Sequence, residues 1–175
     1  MQIIVKKFGG TSLSNVERIT RAISYIKSDL KKGYKVIVVV SAMGKETDRL
    51  LSLYDGLDEY RDTDDLSALL SSGELVSSSF FAIMLNKLGL KGRSFQGWQL
   101  PIITQDTNYN ALIKEIHVNK LNKSIKNNEV PVLSGFQGVN SENRITTLGR
   151  GGSDTTAVAL AYRLKAKRCD IYTDV

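Results

Sequence analysis

The sequence is poor in the side chains that form disulfides or hold metal ions. Of its 175 residues one is a cysteine, Cys169, and one is a histidine, His117. A single cysteine excludes a disulfide within the chain, and a single histidine excludes a histidine-rich metal site. We therefore expect a protein of a reducing compartment, the cytoplasm, without a dedicated metal site.

Long apolar runs and a concentrated charge are also missing. No run of about eighteen apolar residues occurs, and the chain opens on a strand-like stretch instead of a charged segment leading to an apolar core. Secretion and membrane spanning are therefore not expected. The net charge is +6, but the lysines and arginines are scattered and accompany no nucleic-acid-binding motif. This favours a solvated basic surface over a nucleic-acid site, and it would equally suit anionic substrates.

The hydrophobic pattern of the first forty residues predicts a β-α-β unit. Residues 2–8 and 36–40 are apolar enough to be buried strands, and between them apolar residues recur at steps of three and four until Gly33. Ser14 and Glu17 have the spacing of a capping box and predict the start of this helix. Residues 36–40 are apolar on both faces, as expected of a central strand in a parallel sheet.

The rest of the chain continues to alternate between helical and strand-like patterns. Residues 47–88 predict two helices with an acidic break between 55 and 65. Residues 111–128 fit either one helix or a strand followed by a helix, which we favour. The other predicted elements are short strands in 91–105, a strand at 130–134, a glycine-rich loop or hairpin at 135–152, a helix at 153–165 and a strand at 169–175.

This order of elements indicates one α/β domain, a three-layer αβα sandwich with a mainly parallel sheet. In such a domain ligands bind beyond the carboxyl ends of the strands. Four polar loops are therefore candidates for a functional site.

The first candidate is the turn after the first strand, where Lys7 is followed by Gly9, Gly10, Thr11 and Ser12. Glycines let the backbone approach a phosphate closely, and the lysine and hydroxyls can contact it. The spacing matches neither a P-loop nor a dinucleotide-binding fingerprint. An ordinary tight turn with an exposed lysine remains the alternative.

The second candidate is the glycine-rich segment 147–156, in which Gly149, Gly151 and Gly152 surround Arg150. The arginine fork suits a carboxylate, and the following helix, which we expect Ser153 or Asp154 to cap, offers backbone N–H groups. A flexible loop before a capped helix is the alternative. Two weaker candidates are residues 41–48, after a strand, and residues 71–74, predicted as a loop that interrupts a helical region.

Six motifs in order resemble the aspartate kinases of the amino acid kinase family. They are KFGGTS at 7, SAMGKETD at 41, SSGE at 71, GFQG at 135, TTLGRGGSDTTA at 146 and CDIYTDV at 169. The resemblance covers the whole chain and implies transfer of the γ-phosphate of ATP, carried with Mg²⁺, to the side-chain carboxylate of L-aspartate. The product, 4-phospho-L-aspartate, leads towards lysine, threonine, methionine and diaminopimelate.

The resemblance also implies a role for each motif residue. Lys7 and Asp154 would be catalytic, Lys7 by contacting the phosphates and Asp154 by positioning Lys7. The residues implied for aspartate are Ser41, Thr47, Glu74, Arg150, Gly151, Gly152 and Ser153, with Arg150 on the α-carboxylate and Glu74 on the ammonium group. Those implied for the nucleotide are Lys7, Phe8, Gly9, Gly10, Thr11, Ser12, Thr173 and Asp174.

The resemblance further implies that residues 1–175 are the amino-acid-binding part of a kinase domain. Aspartate kinases continue beyond this point with the rest of the nucleotide site and with regulatory domains. We therefore expect the chain alone to be inactive, and to act with a second chain that supplies the other half or to form a homo-oligomer through its last strand. The alternative is an inactive remnant that binds aspartate or a partner chain.

Overall fold

The computed structural model describes residues 2–56, 63–107 and 109–173. These residues form five α-helices, nine strands and one short 3-10 helix. In chain order they are β1 (Ile3–Phe8), the 3-10 helix (Thr11–Leu13), α1 (Val16–Lys31), β2 (Lys35–Val40), α2 (Glu46–Asp55), α3 (Thr63–Lys87), β3 (Gly92–Phe95), β4 (Ile102–Thr104), β5 (Ile113–Ile116), α4 (Asn119–Lys126), β6 (Val130–Ser134), β7 (Gln137–Val139), β8 (Ile145–Thr147), α5 (Gly152–Arg163) and β9 (Arg168–Tyr172).

A five-stranded parallel sheet, in the order β3-β6-β2-β1-β9, forms the middle layer. Side chains of β2 alternate between its two faces. Val36, Val38 and Val40 pack with α1 and α3 in one core, while Ile37 and Val39 pack with α4 and α5 in the other. The predicted β-α-β unit, central strand and three-layer αβα architecture are thereby confirmed.

A second, smaller sheet was not predicted. It has the order β5-β4-β7-β8, and two of its three strand pairings are antiparallel. Strands of three or four residues give a weak periodicity, so the sequence pattern marked only short strands and a possible hairpin. The hairpin of β7 and β8 matters for the site, because it carries the chain from β6 to the start of α5.

Two predicted helix caps were wrong. Ser14 ends the 3-10 helix in a right-handed helical conformation, so Asn15 caps α1 instead, its side chain accepting a 2.9 Å hydrogen bond from the Arg18 N–H. At α5 neither Ser153 nor Asp154 is the cap. Gly151 takes that position in the left-handed region, with φ of 74°, and contributes no side chain.

Helix α3 corrects the prediction that residues 71–74 form a loop, because these residues lie inside it. An 18-residue window of its segment Asp65–Lys87 has a mean hydropathy of 1.5, so this segment is long and apolar enough to cross a membrane. One face of the helix is buried inside the protein, with Leu70, Phe81 and Leu85 no more than 1% exposed, whereas Leu75, Val76 and Ile83 are exposed. The predicted break before it includes residues 57–62, which lie outside the described residues.

Strand β9 lies at one edge of the central sheet, where we expected self-association. A buried ion cluster attaches it to β1 and α1. Lys6 Nζ is 2.7 Å from Asp29 Oδ2 and 2.8 Å from Asp170 Oδ2, and Arg168 also pairs with both carboxylates. Lys6, at 1% exposure, is therefore a structural residue of the interior. The oligomeric state stays a prediction.

Candidate active site

A cavity of about 220 Å³ lies beyond the carboxyl ends of β1, β2 and β6. It is smaller than the roughly 300–1,000 Å³ typical of sites for drug-sized ligands, so it suits a small metabolite. All the residues predicted for aspartate, together with both predicted catalytic residues, lie in its wall. The lining residues are Lys7, Ser41, Thr47, Glu74, Phe136, Gly149, Arg150, Gly151, Gly152, Ser153 and Asp154.

Lys7 enters the cavity from β1 and is held there by an ion pair. Its Nζ is 2.6 Å from Asp154 Oδ1, in the first turn of α5. The lysine side chain is 9% exposed and the aspartate side chain 46% exposed. A largely buried ammonium group, fixed by a carboxylate that water can reach, is suited to stabilise negative charge that develops nearby.

Glu74 supplies a buried carboxylate. The residue is 3% exposed, and its Oε1 accepts a 3.0 Å hydrogen bond from the Ala42 N–H, while Oε2 has no hydrogen-bond partner in the described part of the chain. Burial raises the pKa of Glu74 to about 7, although the Ala42 N–H acts in the opposite direction. An unpaired oxygen in such a place is costly unless a ligand donates to it. From the residues alone, segment 71–74 was only a weak candidate; the role of Glu74 came from the resemblance.

Arg150 is exposed and lines the same cavity as Glu74. The backbone on both sides of it is in the left-handed region, with φ of 78° at Gly149 and 74° at Gly151, which glycine adopts without strain. No side chain caps α5, and Gly152, Ser153 and Asp154 of its first turn line the cavity. A cationic fork and a helix N-terminus thus converge where a carboxylate could bind.

The hydroxyl-bearing residues Ser41 and Thr47 also line the cavity. Ser41 follows the last residue of β2, and Thr47 is the second residue of α2. The Ser41 N–H donates to the Phe8 carbonyl at 3.2 Å, and the Gly44 N–H donates to the Gly10 carbonyl at 2.9 Å. These bonds fix the loop between β2 and α2 against the end of β1, so its hydroxyls and Lys7 stay on the same side of the cavity.

Phe136 and Gly149 line the cavity but were not among the predicted site residues. Phe136 lies just after β6 with φ of 69°, an uncommon value for a residue with a side chain. Its N–H donates to Thr156 Oγ1 at 3.1 Å, and its carbonyl accepts from the Leu148 N–H at 2.9 Å. Both residues belong to motifs that carried the resemblance, but nothing in the pattern of apolar residues distinguished them from core or loop positions.

The residues predicted to bind the nucleotide do not all line the same cavity. Phe8, Ser12 and Thr173 line a second cavity of about 360 Å³ beside α1, whereas Lys7 lines the first. Gly9 and Gly10 form the turn after β1 and Thr11 begins the 3-10 helix, and none of the three lines either of these two cavities. Phe8 is 1% exposed, so its ring supports the second cavity from the core. Asp174 lies outside the described residues.

No group of three or more histidine, cysteine, aspartate or glutamate side chains that could hold a metal ion occurs among residues 2–56, 63–107 and 109–173. The prediction that Mg²⁺ arrives with ATP stays a prediction.

Comparison with known proteins identifies the family of the chain. The model of the amino acid kinase family matches residues 2–175. The chain belongs to this family. An aspartokinase of Rickettsia bellii (strain RML369-C) is 45% identical over 178 residues, which are 100% of this chain and 44% of that protein. The chain thus spans less than half the length of such curated relatives.

Solved structures of aspartate kinases have the same fold. The enzyme from Synechocystis superposes with a TM-score of 0.85 at 40% identity, over 99% of this chain and 28% of that one. Aspartokinase III of E. coli, in complex with aspartate and ADP, gives a TM-score of 0.88 at 26% identity, over 99% of this chain and 49% of that one. The resemblance to aspartokinases seen in the sequence motifs is therefore confirmed.

Proposed function

We propose that this chain is the amino-acid-binding part of an aspartate kinase and that L-aspartate occupies the cavity next to Lys7. The observation that carries the proposal is the unpaired, buried Oε2 of Glu74 in a cavity that Arg150 also lines. An α-amino acid has one ammonium group and one α-carboxylate, and this wall offers one partner of opposite charge for each. The side-chain carboxylate of aspartate is then free to lie near Lys7.

The reaction needs no general base. The side-chain carboxyl of aspartate has an ordinary pKa of about 4 in water, so at neutral pH it is already an anionic nucleophile. One of its oxygens forms a bond to the γ-phosphorus of ATP, and the bond between that phosphorus and the β,γ-bridging oxygen breaks. ADP leaves with the bonding electron pair. The main obstacle is repulsion between the attacking carboxylate and the triphosphate.

In our proposal Lys7 reduces the repulsion between the carboxylate and the triphosphate. Its ammonium group neutralises charge that develops during transfer, and Asp154 keeps it in place at 2.6 Å. The turn of Gly9 and Gly10 directly follows β1, so a triphosphate lying along it would bring its γ-phosphate towards Lys7. Mg²⁺ bound to the triphosphate would add further charge neutralisation. We place the chain in the cytoplasm, with ATP and aspartate as its ligands.

Titration calorimetry with L-aspartate on the 175-residue chain tests the binding step. L-asparagine, which keeps both α-groups and lacks the side-chain charge, separates recognition of the amino-acid backbone from recognition of the side chain. We expect aspartate to bind, the Glu74→Gln variant to bind it more weakly, and the Glu142→Gln variant, changed at an exposed glutamate, to match the wild type.

A coupled assay of ADP release, with and without aspartate, tests the transfer step. Binding without turnover is the outcome expected for this chain by itself, and turnover should appear when the remaining part of a relative's kinase domain is supplied. No detectable aspartate binding at millimolar concentration, with the chain shown to be folded by circular dichroism, would contradict the proposal.

A further inference from the structure

Three buried polar side chains form a closed hydrogen-bonded ring next to the candidate site, and none of them lines the cavity. Gln96 Nε2 donates to Ser78 Oγ at 3.3 Å, the hydroxyl oxygens of Ser78 and Ser134 are 2.9 Å apart, and Ser134 Oγ donates to Gln96 Oε1. Their exposures are 5%, 0% and 1% respectively. The oxygen and nitrogen of the Gln96 amide could also be exchanged. Nε2 would then donate to Ser134 Oγ, Ser134 Oγ to Ser78 Oγ and Ser78 Oγ to Gln96 Oε1, so the ring would still be closed.

The ring joins three elements that meet behind Glu74. Gln96 directly follows β3, Ser134 is the last residue of β6, and Ser78 lies in α3, one helical turn after Glu74. Residues four apart in a helix share a face, so Ser78 and Glu74 point towards the same side of α3. Ser134 Oγ also lies 3.1 Å from the backbone carbonyl oxygen of Glu74. The single proton of Ser134 Oγ can go to Gln96 Oε1 or to the Glu74 carbonyl, so these are alternative hydrogen bonds. Ser78 attaches the ring to the turn of α3 that carries Glu74.

Apolar packing alone would leave α3 some freedom to slide. The contacts of Phe81 and Leu85 with the sheet are non-directional, whereas hydrogen bonds fix a distance and an angle. Near Gly73 and Glu74 the position of α3 relative to the sheet can change only a little. A Cβ at Gly73 would lie only 2.8 Å from the Ala42 Cβ, and Glu74 Oε1 bonds the N–H of the same Ala42 at 3.0 Å. A small shift of α3 would break this hydrogen bond or create a clash.

We propose that Gln96, Ser78 and Ser134 are positioning residues that fix the position of α3 against the sheet. In this way they hold the Glu74 carboxylate in the wall of the cavity. For its link to substrate the inference rests on the proposed function, since the ligand of Glu74 is taken to be the ammonium group of aspartate. The ring touches no substrate and acts through Glu74.

Ser134→Ala and Ser78→Ala each remove one hydroxyl from the ring, and Ser77→Ala is a matched control. Ser77 is adjacent in α3 and 2% exposed, but among the described residues its hydroxyl bonds only within the helix, to the Gly73 carbonyl at 3.0 Å. The first measurement is the titration of the Glu74 carboxyl, monitored by NMR as the pH is changed. The Glu74→Gln variant, which lacks this carboxyl, assigns its signal. The charged residues that line the same cavity, Lys7, Arg150 and Asp154, are unchanged in every variant.

We expect the Glu74 titration midpoint to fall by at least about one pH unit in Ser134→Ala and Ser78→Ala, because a displaced carboxylate gains water. The midpoint should stay within about 0.3 units of wild type in Ser77→Ala. The second measurement is L-aspartate calorimetry at pH 8, where we expect affinity to fall about tenfold or more in the ring variants and less than twofold in the control. Ser134→Thr, which keeps the hydroxyl, should restore most of both properties.

Two results would overturn the inference. One is an unchanged Glu74 midpoint together with unchanged aspartate affinity in folded ring variants. The other is global unfolding of both ring variants under conditions in which Ser77→Ala stays folded, since the ring would then be a requirement of the fold and not a positioning device. If the wild type binds no aspartate but the Glu74 midpoint still shifts in the ring variants, the proposed function fails while the positioning role stands.

Discussion

Lys6 and Lys7 are neighbours in β1, and their ammonium groups lie on opposite faces of the central sheet. Lys6 Nζ is 2.7 Å from Asp29 of α1, and Lys7 Nζ is 2.6 Å from Asp154 of α5. Successive side chains of a strand point to opposite faces, so two identical residues meet different environments. One is enclosed in a structural ion cluster, and the other lines the candidate active site.

Replacement of Lys6 should affect stability. In Lys6→Ala the buried carboxylate of Asp29 loses one partner and keeps Arg168, so the loss of stability should be below the roughly 3–5 kcal/mol typical when a buried charge is left without any partner. Urea unfolding followed by circular dichroism measures the change. Lys32→Ala is the control, because Lys32 lies 4.0 Å from the same Asp29 but its side chain is 64% exposed. Equal stability of the two variants would show that the Lys6 cluster contributes little.

Replacement of Lys7 should affect the chemical step. We expect Lys7→Ala to lower kcat about a hundredfold or more in a form of the enzyme that shows turnover, with aspartate affinity nearly unchanged, because its charge is needed mainly in the transition state. The variant should fold, since the Asp154 side chain is 46% exposed and removal of the lysine opens its buried Oδ1 to water. Lys126→Ala, at the exposed end of α4, is the control. A loss of aspartate affinity without a loss of kcat would place Lys7 in substrate binding instead.

Replacement of Arg150 should weaken aspartate binding. Water cannot fully replace a guanidinium fork that pairs with a carboxylate, and since Arg150 is exposed we expect Arg150→Ala to cost on the order of 1.5–3 kcal/mol in binding, the range of hydrogen bonds to charged groups. Arg150→Lys should recover only part of this, because lysine lacks the fork. Arg163→Ala, at the far end of the same helix, should bind normally in calorimetry. An affinity within twofold of wild type in Arg150→Ala would argue against its role.

Glu74 should make the unfolding free energy depend on pH. Its pKa is raised from 4.5 to about 7 in the folded protein, so the folded state holds this proton more tightly than the unfolded state does. The contribution of Glu74 to stability is therefore lost as pH rises from about 4.5 to 7 and stays lost above 7. At 1.36 kcal/mol per pH unit, the loss is on the order of 3 kcal/mol. Glu74→Gln should thus be more stable than wild type at pH 8 and similar to it near pH 4.5, in urea unfolding with Glu142→Gln as control.

The same group should make aspartate binding depend on pH. An ammonium group binds the ionised form of Glu74, so affinity should rise about tenfold between pH 6 and 8 for a pKa of about 7. Calorimetry at pH 6, 7 and 8 measures this rise. In Glu74→Gln affinity should be lower and this rise should disappear. A wild-type affinity that falls with pH over this range would contradict the assignment of Glu74 to the ammonium group.

The prediction for the wall of the first cavity came from motifs, and the structure brings those motif residues together. Ser41 and Arg150 are far apart in sequence but lie in the same cavity, because Ser41 directly follows β2 of the central sheet, while the hairpin of β7 and β8, which comes after β6, carries Arg150 to the same end of that sheet. The structure does not bring the residues predicted for the nucleotide into this cavity. Phe8, Ser12 and Thr173 line the second cavity. Their role stays a prediction.

The sequence by itself determined the order of helices and strands, the central position of β2 and the glycine-rich loop around Arg150, because these depend on local periodicity and backbone freedom. Only the tertiary structure decided which polar residues are buried. Glu74 and Lys6 are of residue types that are almost never fully buried unless paired, yet they are 3% and 1% exposed. Their environment comes from distant segments, from Ala42 for Glu74 and from Asp29 and Asp170 for Lys6. Burial and charge pairing arise only when those segments pack together, so no local pattern can encode them.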